Sequence, residues 1–150
     1  MKAYIVAIAD TDEMARTLDR YLRCCFGGDR VESYFMTYGR NLLSGSMFRQ
    51  ADLFLLELFR RDYIGYRAEA IPVAEKWISA SKRVLIFSGS ALSDTVRSRA
   101  YWDLSASEPL HERIQHLLDS PTTPVLDFAR LRVVFGAYCR PAVDHHHNSP

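Results

Sequence analysis

The sequence predicts an α/β protein with a doubly wound, five-stranded parallel sheet. Short apolar runs of strand length recur five times, and segments with apolar residues at helical spacing separate them. The middle run, Leu53 to Leu56, is apolar at every position instead of alternating. Such continuous runs are typical of strands buried on both faces, which a parallel sheet with helices on both sides provides.

The predicted elements alternate from the first strand onward. Gly27 and Gly28 end the first helix, and Gly45 weakens the second. The strands are expected at residues 4–9, 31–37, 51–58, 83–87 and 101–104. The helices are expected from residues 10–13 to about Cys25, over residues 41–50, around residues 72–78, for about two turns from Ser93, and from Ser107 to about Leu118.

The chain of 150 residues is expected to form one domain, residues 1–119, with a C-terminal extension, residues 120–150. Pro121 and Pro124 mark the break between them. Within the extension, the apolar stretch from Val125 to Tyr138 fits a helix or a strand. An exposed segment of this kind would form an apolar patch, so we expect it to support a homodimer. Packing on its own domain or docking on a partner are the alternatives.

Composition and charge indicate an ordinary soluble domain. The chain is 48% hydrophobic, 25% charged and has a net charge of +1, which favours neither nucleic acid nor an anionic membrane as a partner. No stretch resembles a membrane span or a signal peptide. The cysteines, Cys24, Cys25 and Cys139, are odd in number and lack zinc-site spacing, which favours a reducing, cytoplasmic location. The run His145–His147 is interpreted as a tail or tag remnant, with metal binding as the alternative.

One motif carries a family resemblance. The third predicted strand reads Asp52-Leu53-Phe54-Leu55-Leu56-Glu57-Leu58, and Gly65 follows. Over about residues 2–119 the chain resembles the receiver domain of response regulators in two-component systems, which has a flavodoxin-like fold. In that family an aspartate at the position of Glu57 accepts a phosphoryl group. The resemblance also implies a hydroxyl residue at the end of the fourth strand, here Ser88, and an aromatic switch residue in the fifth strand, here Tyr101 or Trp102.

The departures from that family all concern its phosphorylation chemistry. The acid pair that holds magnesium is reduced to Ala9-Asp10, and Ser105 stands where the family's lysine is expected. Phosphoryl transfer depends on positioning and on cations that neutralise the phosphoryl oxygens. Glu57 is also one methylene longer than aspartate. We therefore expect no phosphorylation, no resident cofactor and no catalysis; a weakened divalent-ion site at Asp10, Asp12 and Glu57 is the alternative.

Glu57 itself has two interpretations. It could mimic the phosphorylated state by reaching towards Ser88, although it carries one charge against about 1.5 to 2 for a phosphoryl group. We favour a vestigial acid that is hydrogen-bonded locally or paired with Arg60 or Arg61 in the loop after the strand.

The resemblance implies that the partner surface lies on the fourth helix, the fifth strand and the fifth helix. Arginine and aromatic residues, which are enriched at interface centres, occur there. The expected surface residues are Arg97, Arg99, Tyr101, Trp102, His111 and Gln115.

The resulting functional prediction is a stand-alone pseudo-receiver that acts as a phosphorylation-independent signalling adaptor through protein–protein binding. One alternative is a metal- or phosphate-responsive receiver with a weakened magnesium site. A second is a flavodoxin-like protein that binds a small ligand, although the sequence contains no glycine-rich phosphate loop of the common types and no GxSxG elbow.

Overall fold

A computed structural model describes residues 2–9, 11–37, 49–57, 59–60, 65–66, 70–88, 98–120 and 126–130. The strands are β1 (Ala3–Ala9), β2 (Val31–Thr37), β3 (Leu53–Glu57), β4 (Phe59–Arg60), β5 (Gly65–Tyr66), β6 (Val84–Phe87) and β7 (Tyr101–Trp102). The helices are α1 (Asp12–Phe26), α2 (Ala70–Ser79) and α3 (Leu110–Asp119). Residues 49–50 and 128–130 are helical as well.

The sheet has the predicted doubly wound architecture. Five strands lie in the order β2-β1-β3-β6-β7, and every neighbouring pair is parallel. This order is the one found in flavodoxin-like folds, in which the chain adds β2 on one side of β1 and then continues on the other side with β3. Such folds bind ligands at this switch point, beside the carboxyl ends of β1 and β3.

Two helical layers cover the two faces of the sheet. Along β1 and β3, successive side chains point to opposite faces, so each strand contributes to both cores. The core on the side of α1 and α3 contains Ile5, Ala7, Leu18, Leu22, Leu53, Leu55, Leu85, Ile114 and Leu117, among others. The core on the side of α2 contains Val6, Ile8, Phe54, Leu56, Ile71, Trp77, Val84, Ile86 and Tyr101, among others.

Local chemistry fixes the ends of α1 close to the predicted positions. Thr11 is the N-cap, and its hydroxyl accepts the backbone N–H of Met14 at 3.1 Å. Asp12 and Glu13 in the first turn complement the helix dipole. Gly27 follows the helix with φ of 76°, a conformation that glycine adopts without strain, and its N–H bonds the carbonyl of Arg23 at 3.1 Å.

The structure differs from the sequence prediction between Glu57 and Tyr66. A loop was expected after the third strand, but β4 and β5 form a small antiparallel pair in register Phe59 with Tyr66 and Arg60 with Gly65. Each strand has only two residues, so neither could show an alternating pattern. Arg61 lies outside the described residues, as do residues 41–48 of the second predicted helix and residues 93–97 of the fourth.

The start of the C-terminal extension packs on the domain itself. Helix α3 ends at Asp119, where the first unit was predicted to end. Leu126 is buried in the core on the α2 side, and Phe128 packs against it. Residues 128–130 are helical, while residues 131–138, for which the sequence left helix and strand open, lie outside the described residues.

None of the helices in the described ranges combines the length and the apolar character needed to cross a membrane.

The central position of β3 makes a direct prediction about stability. Leu55 is fully buried, so the Leu55→Ala variant should lower the free energy of unfolding by about 2–5 kcal/mol through lost burial and a cavity. Leu104 is 62% exposed, and Leu104→Ala is the matched control, with an expected change within about 0.5 kcal/mol. Urea unfolding followed by tryptophan fluorescence measures both, and equal effects would contradict the central placement of β3.

Candidate functional site

Three buried polar residues lie at the carboxyl ends of neighbouring strands. Glu57 is the last residue of β3, Ser88 follows β6, and Asp103 follows β7. They are 3%, 0% and 2% exposed, respectively, and are the buried polar or charged residues of the described part of the chain. Because the carboxyl ends of parallel strands share one edge, these residues form a polar rim on the edge where doubly wound folds bind ligands, with Glu57 on the strand next to β1.

The backbone register aligns this rim. Glu57 pairs with Phe87 across β3 and β6, and Phe87 pairs with Trp102 across β6 and β7. The N–H of Ser88 bonds the carbonyl of Trp102 at 3.0 Å, which extends the ladder one residue past β6. Glu57 and Ser88 each take part in at least one further hydrogen bond or electrostatic interaction. Asp10, the predicted companion of Glu57, lies outside the described residues.

Asp103 is the functional candidate that the sequence analysis missed. Its Oδ2 accepts the hydroxyl of Tyr101 at 2.7 Å, and its Oδ1 accepts the backbone N–H of Ser105 at 2.8 Å and the Ser105 hydroxyl. The predicted strand ran to Leu104, which hid Asp103 inside it. The structure ends β7 at Trp102, and Asp103 begins a turn. Aspartate and serine are both common in turns, and an aspartate side chain can bond the backbone N–H two residues on, so Asp103 could have indicated this boundary.

The position assigned to the missing lysine holds a serine that supports this carboxylate. Ser105 is exposed, and its N–H and hydroxyl both donate to Asp103. The first residue after β7 is Asp103, so this rim holds two acids, Glu57 and Asp103. Binding of an anionic group requires cations instead.

The guanidinium group of Arg113 contacts this strand end, where it already binds backbone and carboxylate oxygens. Its Nη1 donates to the carbonyl of Tyr101 and its Nε pairs with the Glu108 carboxylate. The Glu108 carbonyl accepts the indole N–H of Trp102 at 2.9 Å, and His116 lies 3.4 Å from the other Glu108 oxygen. These bonds join β7 to α3. Nη1 also reaches the carbonyls of Ser98 and Arg99 at 3.3 and 3.4 Å.

The two aromatic candidates have different environments. Tyr101 is 5% exposed and belongs to the core on the α2 side, whereas Trp102 is half-buried on the α1 and α3 side. Burial raises the pKa of the Tyr101 phenol, and its hydrogen bond to the Asp103 carboxylate raises that pKa further. Tyr101 is therefore held as a neutral donor, with its ring fixed inside the protein.

The predicted partner surface does not form one exposed patch. Tyr101 has to be removed from it because its ring is buried and its hydroxyl is bonded to Asp103. The ring nitrogen Nδ1 and the backbone N–H of His111 both bond the hydroxyl of Tyr21 in α1, at 3.0 and 2.9 Å. Gln115 accepts from Arg30 at 2.9 Å, so it also faces the α1 side. Arg99 is exposed, Trp102 is half-buried, and Arg97 lies outside the described residues.

Metal-binding candidates are not assembled in the described part of the chain. There, no group of three or more histidine, cysteine, aspartate or glutamate residues is placed to hold a metal ion. Asp12 is exposed in the first turn of α1 and Glu57 is buried at the end of β3. Cys24 and Cys25 are free thiols, and His145–His147 and Cys139 lie outside the described ranges.

Comparison with protein-family models, curated proteins and solved structures gave no match to this chain. The fold and the site therefore define its class by themselves. It is a doubly wound α/β protein with flavodoxin-like strand order and a buried, acidic rim at the carboxyl edge of its sheet.

The bond between Tyr101 and Asp103 predicts a coupled loss of stability. Tyr101→Phe leaves a buried carboxylate oxygen without its donor and should lower the free energy of unfolding by about 1–3 kcal/mol. Tyr34→Phe is the comparison at a partly exposed ring, where the hydroxyl that is lost bonds Tyr4 near the surface, and the expected change is below about 1 kcal/mol. In a double-mutant cycle with Asp103→Asn, urea unfolding should give a coupling of about 0.5–3 kcal/mol, and additive effects would contradict the bond.

The raised pKa of Tyr101 predicts how that stabilisation depends on pH. The unfolded phenol ionises near pH 10 while the folded one stays neutral, so increasing pH above 10 favours the unfolded state. The stability difference between the wild type and Tyr101→Phe should be constant below about pH 9.5 and shrink by up to about 1.4 kcal/mol per pH unit above pH 10. Urea unfolding at pH 8–11 measures it, and a constant difference would show that the pKa is not raised.

Proposed function

We propose that the protein is a phosphorylation-independent signalling adaptor, a pseudo-receiver that acts in the cytoplasm by binding other proteins. The observation that carries this proposal is the buried Glu57 at the end of β3, where the resembled family has its phospho-accepting aspartate. The acidic Asp103 at the end of β7 supports it, because a cation is required on that side for phosphoryl transfer.

Access and charge both argue against phosphoryl transfer at Glu57. In-line transfer requires that the donor approach the accepting oxygen within contact distance, and a carboxylate that is 3% exposed offers no such path. The growing charge on the phosphoryl oxygens also requires cations close by. At this rim the nearby arginine, Arg113, already binds backbone carbonyls and Glu108.

A fixed β7–α3 region suits an adaptor. Trp102 is bonded to Glu108, Arg113 bridges Glu108 and β7, and Tyr101 is held inward by Asp103. A surface that is already ordered loses little conformational entropy when a partner binds. Binding at Arg99 and Trp102 would then need no activating modification.

Homodimerisation through the extension is also part of this proposal, but it depends on residues beyond 130. Leu126 and Phe128 already pack on the domain to which they belong. The apolar surface that they bury is not available to a second subunit.

The proposal predicts that phosphoryl donors leave the protein unchanged. The wild type, Glu57→Asp and Glu57→Gln variants are incubated with acetyl phosphate and magnesium and examined by intact-mass spectrometry, next to a receiver with an intact acceptor aspartate as positive control. The wild type and Glu57→Gln should gain no phosphoryl mass. Glu57→Asp should also remain unmodified, because the described part of the rim holds the acid Asp103 on the side where phosphoryl transfer requires a cation. The proposal would be overturned if the wild type gained a phosphoryl mass and the Glu57→Gln variant did not.

A further inference from the structure

The edge of the sheet formed by β2 lies on the opposite side from β7 and takes no part in the site above. All seven residues of β2 pair with β1 in continuous parallel register, without a bulge. No strand of the described ranges lies beyond it. Natural edge strands are usually blunted by lysine, proline, bulges or short length. The sequence VESYFMT has no lysine or proline, and Glu32 is its one charged residue.

Backbone hydrogen bonds show which groups face outward from this edge. The N–H of Ala3 bonds the carbonyl of Arg30, and Ala3 is opposite Val31 in register. Along a parallel strand, the N–H and C=O groups of successive residues point alternately to one side and the other. The backbone groups of Glu32, Tyr34 and Met36 therefore point towards β1. Val31, Ser33 and Phe35 therefore face outward. The N–H of Val31 confirms this direction, because it bonds the carbonyl of Gly27 at 3.3 Å.

An aromatic anchor stands beside this edge. Tyr34 and Leu104 are the two exposed large hydrophobic residues in the described part of the chain, and Tyr34 is 38% exposed. The Tyr34 ring stacks on the ring of Tyr4 with centroids 4.8 Å apart, which holds it in one orientation. A fixed, partly exposed tyrosine is a residue type enriched among binding hot spots, because little side-chain entropy is lost when a partner covers it.

Two open grooves run along the same edge. One has a volume of about 580 Å³ and the other about 320 Å³. Both are lined by Arg23, Ser33 and Tyr34, so together they follow the strand. Arg16 lines the groove near Phe35, and Lys2 and the acid Glu32 line the one near Val31. The groove beside α1 also contains Asp19, which pairs with Arg23 at 3.1 Å and is therefore already neutralised.

From these observations we infer that β2 is a docking edge for an extended, acidic segment of a partner protein, which adds to the sheet as a sixth strand. Backbone groups of Ser33 and Phe35 would supply the main-chain hydrogen bonds of strand addition. Tyr34 would pack against the side chains of the added strand. Arg16 and Lys2 would attract its carboxylates, which sets the preferred charge and the association rate more than the final affinity.

The charges favour such a segment over a second copy of this chain. A two-fold axis would pair the two β2 strands antiparallel. Arg23 and Asp19 pair within each copy, so the charges left at this edge among the described residues are Lys2, Arg16 and one acid, Glu32. A second copy would bring a further Lys2 and Arg16 against a single further acid, so positive charges would add at the strand pair, whereas an acidic segment neutralises them.

The test uses the full-length protein and three synthetic nine-residue peptides of defined sequence. The first alternates valine or threonine with glutamate, the second has lysine for glutamate, and the third is the acidic peptide with prolines at its centre. Binding is followed by amide NMR spectra of the ¹⁵N-labelled protein. The acidic peptide should shift the amides of residues 31–37, and the other two peptides should not.

Matched variants separate the edge from the rest of the molecule. Ser33→Pro removes an outward N–H and blocks strand addition, and edge strands tolerate proline at such positions. This variant should bind the acidic peptide more than about tenfold more weakly than the wild type. Arg16→Glu should weaken it by about threefold to tenfold. Arg20→Glu makes the same charge change at an exposed α1 position that does not line either groove, and should leave binding unchanged.

Several results would overturn the inference. The lysine peptide could bind as tightly as the acidic one, or the Arg16→Glu variant could bind the acidic peptide as tightly as the wild type does. The acidic peptide could also shift no amide signal at millimolar concentration. A wild-type dimer in light scattering that Ser33→Pro converts to a monomer would assign the edge to a second copy. The phosphorylation experiment on Glu57 has no bearing on any of these outcomes, so the two proposals fail independently.

Discussion

The burial of β3 on both faces is the constraint on which the rest of this structure depends. Leu53 and Leu55 face the layer of α1 and α3, while Phe54 and Leu56 face the layer of α2, where Phe54 stacks on Trp77 with centroids 3.9 Å apart. A strand held in this way cannot slip by one residue, because every side chain would change layer. Its last residue is therefore placed at the carboxyl edge of the sheet with little freedom, and in this chain that residue is Glu57.

A buried acid at this position imposes requirements on its neighbours. A charge removed from water is tolerated only where hydrogen bonds or opposite charges compensate it. At the end of β7 the compensation is visible in full: Asp103 accepts hydrogen bonds from Tyr101 and from Ser105. The hydrogen bond to Asp103 also holds the ring of Tyr101 in the interior. The bonds that compensate the buried acid therefore prevent the rotation that a mobile aromatic switch would need.

The sequence was sufficient to predict the architecture, because apolar runs and helix caps are local signals. The strands β1, β3 and β6 and the end of α1 at Gly27 lie close to their predicted positions. Tertiary features could not be obtained in this way. Strand β7 has two residues, so no period distinguished the buried Tyr101 from the half-buried Trp102. The role of Asp103 depends on bonds within a turn, and the pair β4–β5 is too short to show a pattern.

The two ends of the sheet present different kinds of surface, and this difference follows from how each edge strand is held. At β7 the polar bonds to α3 satisfy the strand and leave side chains, not backbone, for recognition. At β2 the pairing with β1 satisfies one side only, and within the described residues no backbone bond reaches the outward groups of Ser33 and Phe35. Side-chain surfaces select partners by shape and charge, whereas backbone edges accept any strand that fits. Specificity at β2 must therefore come from Tyr34 and from the basic residues of its grooves, which is why the charge of the added segment matters more there than its sequence.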